Sequence, residues 1–91
     1  MSTRHEVIVS ASAERDLQRL PEKTAGEIRR FFNGPLRNDP RKAGTPLSQA
    51  RSSMWEAAGP AWRILYQVDA NTLTVRVMVV AQRGNQSRRA S

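Results

Sequence analysis

The chain has no cysteine, a single histidine and only five aromatic side chains in 91 residues. Without cysteine, neither a disulfide framework nor a thiolate zinc site can form, and His5 alone cannot supply the imidazole cluster that most transition-metal sites need. No cofactor is expected. Long apolar runs are missing as well: none approaches the roughly 18 residues that cross a bilayer, and the opening MSTRHEVIVS lacks the apolar core of a secretory signal. No membrane contact is expected, and the expected location is the cytoplasm. At this length one domain over residues 1–91 is expected, because a chain of this size buries only about 60–65% of the surface its unfolded form exposes.

Acidic residues are scarce too, 8 against 15 Lys and Arg, for a net charge of +7 and a pI near 11.5. A surplus of this size attracts polyanions before any specific contact forms, although an acidic partner protein would respond to the same field. The excess is uneven. Residues 1–36 are nearly neutral at +1, whereas residues 37–91 carry nine basic side chains against three acidic ones, a net of +6. A polyanion surface therefore belongs to the second half.

HEVIVS, rich in Val and Ile, suits a strand over about Glu6 to Ser10. Ser10 or Ser12 then caps a helix that starts with Glu14 and Asp16 in its first turn, and Ala13, Leu17 and Leu20 share one face. Pro21 ends this helix and opens a second, EKTAGEIRRFF, with Ala25, Ile28, Phe31 and Phe32 apolar and Asn33–Gly34 as its stop. Residues 35–53 hold three of the five prolines and no sustained period, so an ordered connector is expected there. MWEAA, Ala61 to Asp69 and Leu73 to Ala81 read as three strands joined by a Gly59–Pro60 turn and an Asp69–Thr72 hairpin. The order predicts an α+β fold, β-α-α-β-β-β: a small four-stranded, antiparallel-rich sheet with an N-terminal helical hairpin on one face.

Alternation places Trp62, Ile64, Tyr66 and Val68 toward the helices and Arg63, Leu65 and Gln67 away from them. In the last strand it puts Leu73, Val75, Val77 and Val79 inward and Thr74, Arg76, Met78 and Val80 outward. Arg63 then looks onto a partly open face, and Arg83 emerges where the last strand ends. There a guanidinium fork can meet phosphate oxygens without the cost of burying a charge. Outward arginines also keep a sheet soluble and blunt edge pairing, which is the reading adopted for Arg76. Trp55, Trp62 and Tyr66 either stack RNA bases or, as befits a chain so poor in aromatics, belong to the core.

Four segments together, ERDLQRLPEK, FFNGPLRNDPRKAGTPL, MWEAAGPAWRILYQVD and VMVVAQR, resemble the RelE/ParE superfamily of type II toxin-antitoxin toxins over almost the whole chain, with the RelE branch the more similar. The resemblance implies a ribosome-dependent endoribonuclease that cleaves mRNA. Arg63 in WRILY and Arg83 in AQR stand at the family's arginine positions. Where the family often carries lysine or arginine before the central hairpin, this chain has Glu56, Ala57 and Ala58, and Glu56 is a candidate general base if it faces the open side. Ser87 stands in for a tyrosine that usually follows the last arginine.

Arg51, Arg88 and Arg89 are further candidates for binding RNA near the site, and Arg41 and Lys42 for contacting ribosomal RNA. The implied partners are the ribosome with its mRNA and a RelB-like antitoxin encoded next to the gene, with operator DNA reached only through that antitoxin. Two other readings share the fold: a ParE-like inhibitor of DNA gyrase, and a weakened toxin retained for antitoxin binding and operon regulation.

Overall fold

The computed structural model describes residues 4–47 and 54–83. The chain runs β1 (Glu6–Val9), α1 (Ala11–Gln18), α2 (Glu22–Asn33), α3 (Pro35–Asn38), α4 (Pro40–Ala43), β2 (Thr45–Pro46), β3 (Met54–Ala58), β4 (Trp62–Asp69) and β5 (Thr74–Gln82). The strands form one sheet in the order β1-β5-β4-β3-β2, in which β1 pairs in parallel with β5 and every other pair is antiparallel. The α+β architecture is the expected one, with a fifth strand of two residues added at the edge.

Local chemistry sets the helices. The Ser10 hydroxyl accepts a hydrogen bond from the Ala13 amide at 3.0 Å, satisfying one of the first turn's free donors. Thr24, Ile28 and Phe32 recur every four residues along α2 and are all buried, which lays that helix against the sheet along one stripe. Ala13 and Leu17 of α1 are buried in the same core as Ile64, Tyr66, Val75 and Val77. Truncating a side chain like Leu17 in such a core costs about 2–5 kcal/mol.

The connector expected to be ordered holds two helical turns and a short strand that its sequence does not announce. Pro35 and Pro40 each stand at the first position of a one-turn helix, where a missing amide proton costs nothing, and Leu36 and Pro40 are buried. Tyr66 fixes this segment to the sheet: its hydroxyl donates to the Pro40 carbonyl at 2.8 Å, and burial pushes its pKa up to about 12. At Gly44 a Cβ would run into the Tyr66 oxygen and the Glu56 carbonyl, so only glycine lets the chain pass this close to β3.

One expectation fails in β5. Strict alternation puts Val79 inside and Val80 outside, yet Val79 is 37% exposed and Val80 4%. The cause is a β-bulge. Tyr66 pairs with Val77 and Leu65 with Val79, so Met78 is an extra residue that shifts the phase of everything after it.

Candidate active site

The helices cover the face of β4 that carries Trp62, Ile64, Tyr66 and Val68, all of which are buried. Trp62 packs against Phe31 with ring centroids 5.2 Å apart, and Trp55 stacks on Tyr66 at 6.5 Å. Trp62 and Tyr66 are core, with Phe31 and Trp55 partly buried against them, and the site is left to the polar side chains of the opposite face.

On that face Arg63 and Glu56 meet. Glu56 lies opposite Leu65 and Arg63 opposite Ala58, a diagonal relation across the β3–β4 ladder, and the Arg63 Nε donates to the Glu56 carboxylate. The turn between these strands is tight: the Gly59 amide donates to the Trp62 carbonyl at 2.9 Å, and the indole of Trp62 fills the space a Cβ would need at Gly59. Both partners of the ion pair keep substantial solvent access, at 44% and 33% of their side-chain surfaces. A pair exposed to this degree is worth roughly 0–1 kcal/mol, less than the roughly 1.5–3 kcal/mol of one hydrogen bond to a charged group. A phosphate can therefore draw Arg63 away from Glu56 at small cost.

The bulge sets the phase of the strand that leads to Arg83. Val80 pairs with Ile64 on the core side and Ala81 with Arg63 on the open side, and the Arg83 amide donates to the Ala61 carbonyl at 2.9 Å. Arg83 follows directly on β5, and continued alternation from Ala81 would give it the side of Arg63. Without the inserted Met78, the same count would turn Arg83 toward the helical layer and separate it from Arg63. The Arg63–Glu56 pair and the backbone of Arg83 thus lie at the same end of the sheet, where β4 begins and β5 ends.

The other candidates fall elsewhere. Arg41 lines a cleft with Gln67, Asp69 and Asn71 near the opposite end of β4. Gln67 is four residues beyond Arg63, about 13 Å along the strand. Lys42 is exposed on α4 and lies outside that cleft. Arg51, Ser87, Arg88 and Arg89 lie outside the described residues. Arg76, read from sequence as an ordinary outward strand residue, shares the cleft with Arg41. The signal that would have found it is the pairing of Gln67 with Arg76, which alternation alone cannot supply. Among the described residues no group of three or more His, Cys, Asp or Glu side chains is placed to hold a metal ion.

The site is thus a small α+β domain's open sheet face bearing an exposed arginine–carboxylate pair, with a second arginine following the last strand. No protein-family model matches the chain. It is 37% identical over 79 residues to the toxin RelE of Mycobacterium tuberculosis, covering 87% of this chain and 81% of that protein. It is 30% identical over 80 residues to the toxin RelG of the same organism, covering 88% and 92%. In three dimensions it is similar to a chain of the RelBE2 toxin-antitoxin complex from M. tuberculosis, with a TM-score of 0.83 at 28% identity over 89% of this chain and all of that one. The chain belongs to the RelE family of toxins. It is the toxin component of a type II toxin-antitoxin system, and toxins of this family are endoribonucleases acting on mRNA.

Proposed function

We propose that this chain stops translation by cutting mRNA on the ribosome, with Arg63 and Arg83 holding the scissile phosphate. The observation that supports this most is an exposed Arg63, paired with Glu56, at the end of the sheet where the Arg83 backbone bonds to Ala61. In the reaction the 2′-oxygen loses its proton and bonds to phosphorus while the bond to the 5′-oxygen breaks and that oxygen gains a proton. Charge builds on the equatorial phosphate oxygens, and two preset guanidinium groups stabilise it where it develops. Glu56 is the carboxylate placed to take the 2′ proton once the phosphate has drawn Arg63 from it. Ser87 keeps its proposed place in the site, and Arg51, Arg88, Arg89 and Lys42 are proposed contacts to RNA.

The same reading takes residues 1–91 as one toxin domain acting in the cytoplasm; no helix among the described residues is long and apolar enough to cross a membrane. Its partner is a RelB-like antitoxin encoded beside the gene, an acidic segment of which folds over the basic face. The RelBE2 chain to which this chain is similar was solved in a toxin-antitoxin complex.

The test is induced expression with and without the adjacent gene, followed by mapping of mRNA 5′ ends on ribosomes. New ends inside codons, absent with Arg63→Ala or Arg83→Ala, are expected. Growth arrest with intact mRNA and a DNA-damage response would move the target to gyrase, and no arrest at all would leave a binding and regulatory role.

A further inference from the structure

The far end of the sheet carries a second basic feature. A cleft of about 430 Å³ opens beside the β4–β5 turn, and Arg41 from α4 and Arg76 from β5 both line it. Neither arginine has a carboxylate within ion-pair distance among the described residues. The one acidic side chain on its wall, Asp69, is already committed: its Oδ1 accepts from the Asn71 amide at 3.0 Å and the Thr72 amide at 3.3 Å, which closes the turn. Arg41 is held in place indirectly, since the buried Tyr66 hydroxyl binds the carbonyl of its neighbour Pro40. Two guanidinium groups from separate elements, unpaired among the described residues, thus line one opening whose single acid spends one of its two oxygens on the turn.

We propose that this cleft is a second phosphate site, which takes a phosphodiester of the RNA strand away from the scissile bond. It rests on the reading of the chain as an RNA-cleaving toxin, and it deepens it. Arg63 and Arg83 lie near the start of β4, whereas Gln67 and Asp69 of this cleft lie four and six residues further on, about 13–20 Å along the strand. Between the two arginine pairs the open face presents Leu65, Met78 and Val79, of which Met78 and Val79 are exposed. A strand crossing the sheet would meet cation, apolar surface and cation in turn. A site remote from the bond that breaks anchors and orients the strand without stabilising the transition state.

The experiment measures binding of a short 2′-O-methyl RNA, which cannot be cleaved, to the purified protein over a range of salt. Arg41→Gln/Arg76→Gln is expected to bind about ten-fold more weakly at 0.15 M salt. Its plot of log affinity against log salt should flatten by about 1.4, or 0.7 per lost contact on a single strand. Asp69→Asn, whose amide oxygen can still close the turn, is expected to bind about three-fold tighter. Unchanged melting temperatures show that all variants fold.

An unchanged salt slope in the folded double variant would overturn the proposal, and so would a loss confined to an acidic polypeptide such as polyglutamate. Ribosome-dependent cleavage measured in parallel separates this from the parent reading. If wild type fails to cleave yet the slope changes, the nuclease reading falls and the anion site stands. If Arg63→Gln abolishes cleavage while the double variant binds RNA as wild type does, only the second site falls.

Discussion

The phase shift at Met78 decides which of two adjacent valines is inside, and exchanging each for threonine reads it directly. Thr has the shape of Val and the same β-branching, so strand propensity and volume are held nearly constant while one methyl becomes a hydroxyl. At Val80, 4% exposed and paired with the fully buried Ile64, that hydroxyl is placed in an apolar layer. Burying it without a partner costs about 1–3 kcal/mol. For a domain of this size each kcal/mol moves the melting temperature by about 4–8 °C, so a cost of about 2 kcal/mol lowers it by about 8–16 °C. At Val79, 37% exposed beside Leu65, water reaches the new hydroxyl and the change is expected to stay within about 0.5 kcal/mol. Calorimetry of the two variants gives the answer. If Val79→Thr were the damaging change and Val80→Thr the silent one, β5 would alternate without a bulge. Alternation would then turn Arg83 toward the helices, and its proposed action beside Arg63 would fall.

Tyr66 is the only tyrosine in the chain, so absorbance at alkaline pH reports it alone. Burial raises its folded pKa to about 12, from about 10 when unfolded, so the stability linked to its neutral form is intact below pH 10 and drains away as pH rises toward 12. Phenolate appearing near pH 10 in folded protein would contradict its burial. Leu73 ends the β4–β5 turn at a φ of 54°, a left-handed conformation that strains leucine and suits asparagine. Leu73→Asn relieves that strain but gives up the burial of a side chain that is only 39% exposed, so the two effects nearly offset and stability in urea titration is expected to change by less than about 0.5 kcal/mol; a larger loss would mean that packing outweighs the strain. Glu56→Gln keeps a hydrogen bond to Arg63 and removes the base. Cleavage is expected to slow about 10²-fold with RNA affinity unchanged, and an unslowed rate would reduce Glu56 to a holder of Arg63.

Much of this fold is legible along the chain because its signals are strong and local. Ser10 caps α1, Pro21 and Gly34 bracket α2, and the alternating burial of WRILYQVD assigns each face of β4 without a tertiary contact. The bulge is invisible for a definite reason. Val77, Met78, Val79 and Val80 are all apolar, so the pattern carries no phase there, and neither glycine nor proline marks the extra residue. The two one-turn helices of the connector are too short for any helical period to emerge. Their prolines, which from sequence alone argue for irregular chain, are in place as first-turn residues.

The site divides in the same way. Arg63 and its outward direction follow from alternation, but its pairing with Glu56 depends on a strand register that only the folded sheet defines. Arg41 and Arg76, 35 residues apart, come together through the anchoring of α4 by Tyr66 and are not neighbours in any sequence window.

The central claim is that Arg63 and Arg83 act together on one phosphate. The most direct measurement is the single-turnover rate of mRNA cleavage on programmed ribosomes for wild type, Arg63→Gln, Arg83→Gln and the double variant. Each single change is expected to slow cleavage by about 10²–10³-fold, the loss seen when one preset donor is removed from a developing charge. The double variant should fall short of the product of the two, because groups acting as a unit are not additive. Single variants that cleave at the wild-type rate would contradict the assignment of the phosphate to this face of the sheet.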